Sequence, residues 1–196
     1  MKLRGLYAIT PDGADLIDKL RQALEGGISV LQYRRKKEKS LSEAKGVLSL
    51  ARRYHVPLIV NDDVDLALEI GAEGVHLGRD DGDLAKARKK MKGKILGVSC
   101  YDDLEAARAA VRAGADYVAF GSIFASPTKP GAVRAPLGLF EEAKSLKVPL
   151  AAIGGITLEN APAVIAAGAG LLAVVSDLFD ATDIRRRALQ YGKLFE

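Results

Sequence analysis

The stretch LEAARAAVRAGADYVAFG, Leu104 to Gly121, reads as a helix over Leu104–Ala113, a stop at Gly114 and a strand over Tyr117–Gly121. A longer amphipathic run followed by a short apolar one is the signature of a helix feeding a buried strand. Gly114 lets the helix end in the left-handed conformation and pass directly into that strand. The same small-residue phrase recurs as Glu25-Gly26-Gly27, Ile70-Gly71-Ala72 and Ala167-Gly168-Ala169. One unit is therefore repeated along the chain.

Working outward from it, the sequence predicts strands over Leu6–Thr10, Val30–Arg34, Pro57–Asn61, Gly74–Gly78, Ile95–Ser99, Leu150–Gly154 and Leu171–Val175, with Tyr117–Gly121 the eighth. The predicted helices are Asp15–Glu25, Leu41–Tyr54, Val64–Ile70, Leu84–Met91, Leu104–Ala113, Leu139–Leu146, Leu158–Ala167 and Asp183–Leu194. Strict alternation of this kind makes a parallel sheet with helical crossovers. Eight such units close into a single α/β domain over 1–196, a (β/α)8 TIM barrel with small insertions; a doubly wound open sheet ranks behind it.

The 196 residues are 48% hydrophobic and 28% charged, enough for one sizeable core. A net charge of +4 suits anionic ligands and, less specifically, nucleic acid. No apolar run reaches the roughly 18 residues of a membrane span, and MKLRGLYAIT is too short in its apolar part for a secretory signal, so a cytoplasmic location is expected. One cysteine rules out an internal disulfide framework, and with two histidines it cannot make a conventional zinc site. A metal would have to be held by carboxylates.

In a barrel, function gathers at the C-terminal ends of the strands. Gln32, Arg34 and Lys36 alternate along the end of strand 2 and project to one side, which suits a phosphorylated ligand with a hydrogen-bonding ring. The run to Lys39 reads equally as a solvated basic loop. Asn61-Asp62-Asp63 and Asp80-Asp81 end adjacent strands; they suit Mg²⁺ completed by phosphate and water, or else they cap the helices that follow. Ser126, Pro127, Thr128 and Lys129 lie on a long loop after strand 6 that offers hydroxyls and a cation. Gly154-Gly155 and Val175-Ser176 follow strands 7 and 8, where barrels hold a phosphate on backbone N–H groups, or they are two capped turns. His76 and Cys100 read as buried groups, and His55 as surface.

Taken together, Leu6-Tyr7-Ala8-Ile9-Thr10, Gln32-x-Arg34-x-Lys36, Asn61-Asp62-Asp63, Gly74-Val75-His76-Leu77-Gly78, Gly97-Val98-Ser99, Ser126-Pro127-Thr128-Lys129, Ala152-Ile153-Gly154-Gly155-Ile156 and Val175-Ser176 resemble the thiamine phosphate synthase family over nearly the whole chain. The resemblance implies a transferase that joins 4-amino-5-hydroxymethyl-2-methylpyrimidine diphosphate to a thiazole phosphate, with Mg²⁺ as cofactor and pyrophosphate released. It implies that Gln32 engages the aminopyrimidine, and that Arg34, Lys36, Asn61, Ser99 and Lys129 surround the diphosphate, with Arg34, Lys36, Ser99 and Lys129 acting in catalysis. Asp62 and Asp81 would hold the metal. Ser126, Pro127 and Thr128 would touch the thiazole phosphate, whose phosphate would rest on Gly155, Val175 and Ser176.

The chain departs from the common family pattern at Arg79, often Gln, at Ser122 and Ala125, often Pro, and at Tyr101, often His. Arg79 is expected to point outward. A related thiazole tautomerase is the alternative reading, and Tyr101 in place of its histidine base speaks against it. A nucleic-acid-binding protein using Arg34–Lys39, Ala87–Lys94 and Arg185–Arg187 is the alternative from another class; those segments are scattered and lack interleaved aromatics. The expected partners are small molecules, without nucleic acid or membrane, and the sequence is compatible with a homo-oligomer.

Overall fold

Eight strands pair in chain order, all parallel: β1 (Gly5–Ile9), β2 (Val30–Tyr33), β3 (Leu58–Asn61), β4 (Gly74–Leu77), β5 (Ile95–Tyr101), β6 (Tyr117–Phe120), β7 (Leu150–Ile153) and β8 (Leu171–Val174), with β8 closing on β1. The structure is a computed structural model describing residues 3–13, 15–35, 40–79, 81–125 and 133–196. The helices are α1 (Leu16–Glu25), α2 (Leu41–Arg53), α3 (Val64–Ile70), α4 (Leu84–Lys90), α5 (Leu104–Arg112), α6 (Gly138–Ala143), α7 (Ala161–Ala167), α8 (Ser176–Phe179) and α9 (Ile184–Lys193). This is the expected (β/α)8 barrel. Among the described residues, no helix is long and apolar enough to cross a membrane.

The repeated glycine phrase does what its chemistry suggests. Gly27, Gly71, Gly114 and Gly168 all have positive φ, between 77° and 120°, where the chain turns from helix toward the next strand. Among the described residues, five helices begin at a side chain that accepts a first-turn N–H: Ser40, Asp63, Asp83, Asp103 and Asp183. Each such cap stabilises its helix by about 1 kcal/mol. Three local departures stand out. α7 starts at Ala161 and not Leu158, because Asn160 Oδ1 accepts the Thr157 N–H (2.9 Å) and shapes a turn there. β5 runs on to Tyr101 through a register shift between Ser99 and Tyr101. The four-residue α8 lies outside the eight predicted helices, at the turn after β8.

Alternation along the strands sorts the core into two shells. Leu6, Leu31, Val60, Val75, Leu96 and Val118 pack outward with the helices. Tyr7, Ile9, Val30, Ile59, Tyr117, Ala119, Ala151, Leu171 and Ala173 fill the barrel itself. Gln32, beside Ile9 across the β1–β2 pair, and His76, beside Asn61 across β3–β4, sit nearly without exposure above that filling. The barrel interior is therefore apolar below and polar toward the strand C-termini.

Candidate functional site

At those C-termini the barrel opens into a cavity of about 460 Å³, within the range of small-molecule sites. Gln32 and Arg34 from the end of β2, Asn61 and Asp62 after β3, Asp81 after β4, Ser99 in β5, Gly155 after β7, and Val175 and Ser176 after β8 all line it. The candidate residues among the described ones thus come together around one space. Lys36, Ser126, Pro127, Thr128 and Lys129 lie outside the described residues.

The basic run after β2 divides by parity. Arg34 lines the cavity, and its segment is held by Thr10, whose hydroxyl donates to the Arg34 carbonyl (2.7 Å) and accepts the Arg34 N–H (2.8 Å). Arg35 faces the other way. Its guanidinium grips Glu43 on α2 with two bonds (2.7 and 2.6 Å) and donates to the Pro11 carbonyl (2.6 Å). The Tyr33 hydroxyl donates to the same carboxylate (2.8 Å). Arg35 holds the Glu43 carboxyl below its ordinary value, while burial and then Glu43 push the Tyr33 hydroxyl up. Arg88 and Arg187, in the other two basic segments, pair with Asp116 and Asp177.

The structure separates the aspartates that the sequence left ambiguous. Asp63 caps α3 and Asp83 caps α4, whereas Asp62 and Asp81 line the cavity. Asp81 Oδ2 accepts the Gly78 N–H (2.6 Å), and Asn61 donates to Asp62. The described residues hold no cluster of three or more His, Cys, Asp or Glu that fits a metal ion. The Asp62 and Asp81 carboxylates, lining the same cavity, offer hard oxygen donors of the kind that could hold Mg²⁺ if phosphate and water completed its shell. Arg79 corrects an expectation: it lines the cavity, with its guanidinium carbon 5.0 Å from the centre of the Tyr101 ring. Tyr101 sits at φ 54° beside the β5 irregularity, which turns its ring to the rim.

Gly154 and Gly155 are needed for a reason other than ligand approach. A β-carbon on Gly154 would fall 2.1 Å from Ser122 Oγ, and one on Gly155 would fall 2.3 Å from the Ala125 carbonyl oxygen. The loop after β6 therefore rests on the β7 turn. Beside it, α8 begins at Ser176, and the first N–H groups of any helix lack an intrahelical partner. Asp177 fixes this segment to α9 through Arg187 (2.9 Å to each carboxylate oxygen) and the Tyr191 hydroxyl (2.7 Å).

Under the cavity floor lies a polar row that the sequence did not disclose. Gln32 Nε2 donates to the Tyr7 hydroxyl (2.8 Å), which lies 2.7 Å from that of Tyr117. The Tyr117 hydroxyl is 2.9 Å from His76 Nδ1, and His76 Nε2 is 2.8 Å from Ser99 Oγ. Burial pushes both tyrosine hydroxyls above their ordinary range, and burial, partly offset by Asp81, holds His76 down to about 4. Cys100, as expected, is a buried thiol, pushed up to about 12 by burial and then by Asp103. Neither Tyr7 nor Tyr117 stands out in the sequence as a site residue, because each sits in an apolar strand. Their inward parity, shared with Gln32 and His76, was the available signal.

The thiamine monophosphate synthase family matches residues 6–178. A thiamine-phosphate synthase of Aromatoleum aromaticum is 55% identical over 203 residues, covering 100% of this chain and 98% of that protein. One of Azoarcus sp. is 53% identical, covering 99% of this chain and 98% of its own. The thiamine phosphate pyrophosphorylase structure from Pyrococcus furiosus superposes with a TM-score of 0.90 at 33% identity, covering 99% of this chain and 96% of that one. A 3-hexulose-6-phosphate synthase from Salmonella typhimurium, at 18% identity and TM-score 0.78 with 97% and 98% coverage, shares the fold alone.

Proposed function

The chain belongs to the thiamine monophosphate synthase family, and from that premise we propose how its barrel mouth joins an aminopyrimidine diphosphate to a thiazole phosphate to give thiamine phosphate and pyrophosphate. The observation that carries this reading is the convergence of Gln32, Arg34, Asn61, Asp62, Asp81, Ser99, Gly155, Val175 and Ser176 on one cavity. The same proposal takes 1–196 as a single catalytic domain. It also places the enzyme in the cytoplasm, where its single unpaired cysteine is at home.

In this reading Gln32, buried at the head of β2, hydrogen-bonds the aminopyrimidine ring. Arg34 and Asn61, with Lys36 and Lys129, surround the diphosphate, and Ser99 donates to it. Asp62 and Asp81 would hold Mg²⁺, which when bound would supply positive charge to offset that developing on the departing diphosphate. The bond between the pyrimidine methylene and the diphosphate oxygen breaks, and the electron pair goes with the oxygen. The electron-rich ring spreads the positive charge left on the methylene. The thiazole nitrogen then supplies the electron pair for the new C–N bond. Its own phosphate is held by the turns at Gly155, Val175 and Ser176, while Ser126, Pro127 and Thr128 bound the thiazole. No protein nucleophile is needed, so the work of the site is positioning and electrostatics.

Incubating the protein with both substrates and Mg²⁺ should yield thiamine phosphate and pyrophosphate in equal amounts. Pyrophosphate release without thiamine phosphate, or isomerisation of the thiazole phosphate alone, would overturn the reading.

A further inference from the structure

The row Gln32–Tyr7–Tyr117–His76–Ser99 begins and ends at the cavity, because Gln32 and Ser99 line it. Of its middle members Tyr7 and Tyr117 are shut away, 1% and 0% exposed, while His76, 7% exposed, also borders the cavity but has both ring nitrogens engaged within the row. Each hydroxyl in the row has one proton to give, and a neutral imidazole has one nitrogen that gives and one that accepts. A row closed in this way satisfies every member only if all its protons run in the same direction. Two orders are available.

In one order Gln32 Nε2 donates to Tyr7, Tyr7 to Tyr117 and Tyr117 to His76 Nδ1. The imidazole proton then sits on Nε2 and is given to Ser99 Oγ, so the Ser99 hydroxyl keeps its own proton for the cavity. Gln32 keeps its carbonyl oxygen and one N–H for the cavity. In the other order every bond reverses. Ser99 gives its proton to His76 and shows lone pairs to the cavity, while the Gln32 carbonyl is shared with Tyr7.

We propose that Tyr7, Tyr117 and His76 are positioning residues that hold the first order, and so set the donor and acceptor character of Gln32 and Ser99 together. The inference rests on the functional reading above. An aminopyrimidine edge presents an amino donor near a ring-nitrogen acceptor, which matches an amide oxygen beside an amide N–H. The departing diphosphate oxygen gains negative charge, which calls for a hydroxyl that donates. The first order meets both needs at once, whereas the second divides the Gln32 carbonyl between Tyr7 and the ring and leaves Ser99 no proton for the departing oxygen. The proton position on His76 thereby reports how both substrate-facing ends are set.

The chain has two histidines, His55 and His76, so nitrogen NMR of the full-length protein labelled at histidine resolves the question directly. A His55→Gln variant assigns the signals, since His55 is exposed and far from the row in sequence. The expected spectrum shows His76 protonated at Nε2 and bare at Nδ1. Protonation at Nδ1 would overturn the proposal. Tyr117→Phe removes the donor to Nδ1; it should erase the preference for the Nε2–H form and lower kcat about tenfold, with KM for the thiazole phosphate within about twofold of wild type. Wild-type kcat in a folded Tyr117→Phe protein would also overturn it, and the wild-type spectrum decides the matter even if that variant does not fold. If the wild-type chain makes no thiamine phosphate, the functional reading fails whatever the tautomer. If it turns over and His76 carries its proton on Nδ1, the proton order alone fails.

Discussion

The ring of Tyr117 lies against the α-carbon of Gly97, where a β-carbon would come within 2.1 Å of the tyrosine Cζ. Glycine in β5 is what allows the β6 tyrosine to cross the barrel and meet the Tyr7 hydroxyl. Its ring also stacks at 5.6 Å on His76, with 25° between the planes. Gly97→Ala should therefore lower stability by about 1–3 kcal/mol, the usual range for forcing a carbon into a packed core. It should also lower kcat, because the displaced ring carries the hydroxyl between Tyr7 and His76. Denaturant unfolding and steady-state kinetics on one preparation check both effects; a Gly97→Ala protein with wild-type stability would show that the ring has room to move.

Acid stability should depend on Glu43. Arg35 depresses the carboxyl pKa in the folded chain, so Glu43 contributes stability above its unfolded pKa and loses that contribution as pH falls through the folded value. Glu43→Gln should lower stability at neutral pH and flatten its dependence on pH in the acid range. Unfolding curves at neutral and acid pH measure the difference between the two proteins, which should shrink on acidification.

Asp62→Asn and Asp81→Asn should each raise the Mg²⁺ concentration needed for half-maximal rate by about tenfold or more, because a hard anionic ligand becomes neutral. The Asp81→Asn side chain retains an oxygen for the Gly78 N–H, so the local turn should survive. Metal titration against rate decides it. Unchanged metal dependence in both variants would leave the carboxylates with only a structural part.

The two substrates should be separable by mutation. Ser176→Ala should chiefly weaken the thiazole phosphate, by about 1 kcal/mol for one lost hydrogen bond to a charged group that backbone N–H groups still hold. Lys129→Ala should instead lower kcat together with kcat/KM, because its charge matters more as the diphosphate departs. Varying each substrate in turn reads the split, and the reverse pattern would exchange the two subsites.

Arg79→Gln should raise KM for the pyrimidine diphosphate about two- to fivefold while leaving kcat within about twofold. The guanidinium stands on the Tyr101 ring at the rim of the cavity, where it adds attraction for an anion on the order of 0.5–1 kcal/mol. The effect should fade in high salt.

Much of this protein can be read from short-range features. Apolar runs of strand length, amphipathic runs of helix length and a glycine after four of the helices are enough to predict eight βα units, because period and turn chemistry act over a few residues. The alternation of Gln32 with Arg34 likewise points both at one face before any contact is known. Closing the barrel decided the rest. It brought together Tyr7 and Tyr117, 110 positions apart, and set the Ala125 carbonyl over Gly155. It assigned capping to Asp63 and Asp83, leaving Asp62 and Asp81 at the cavity, and it laid Arg79 on Tyr101 when a loop arginine by itself is expected to seek water. The caps are local contacts that adjacent aspartates compete for, but the other outcomes depend on which residue a neighbouring strand or loop brings close, and neither propensity nor spacing along one strand holds that information.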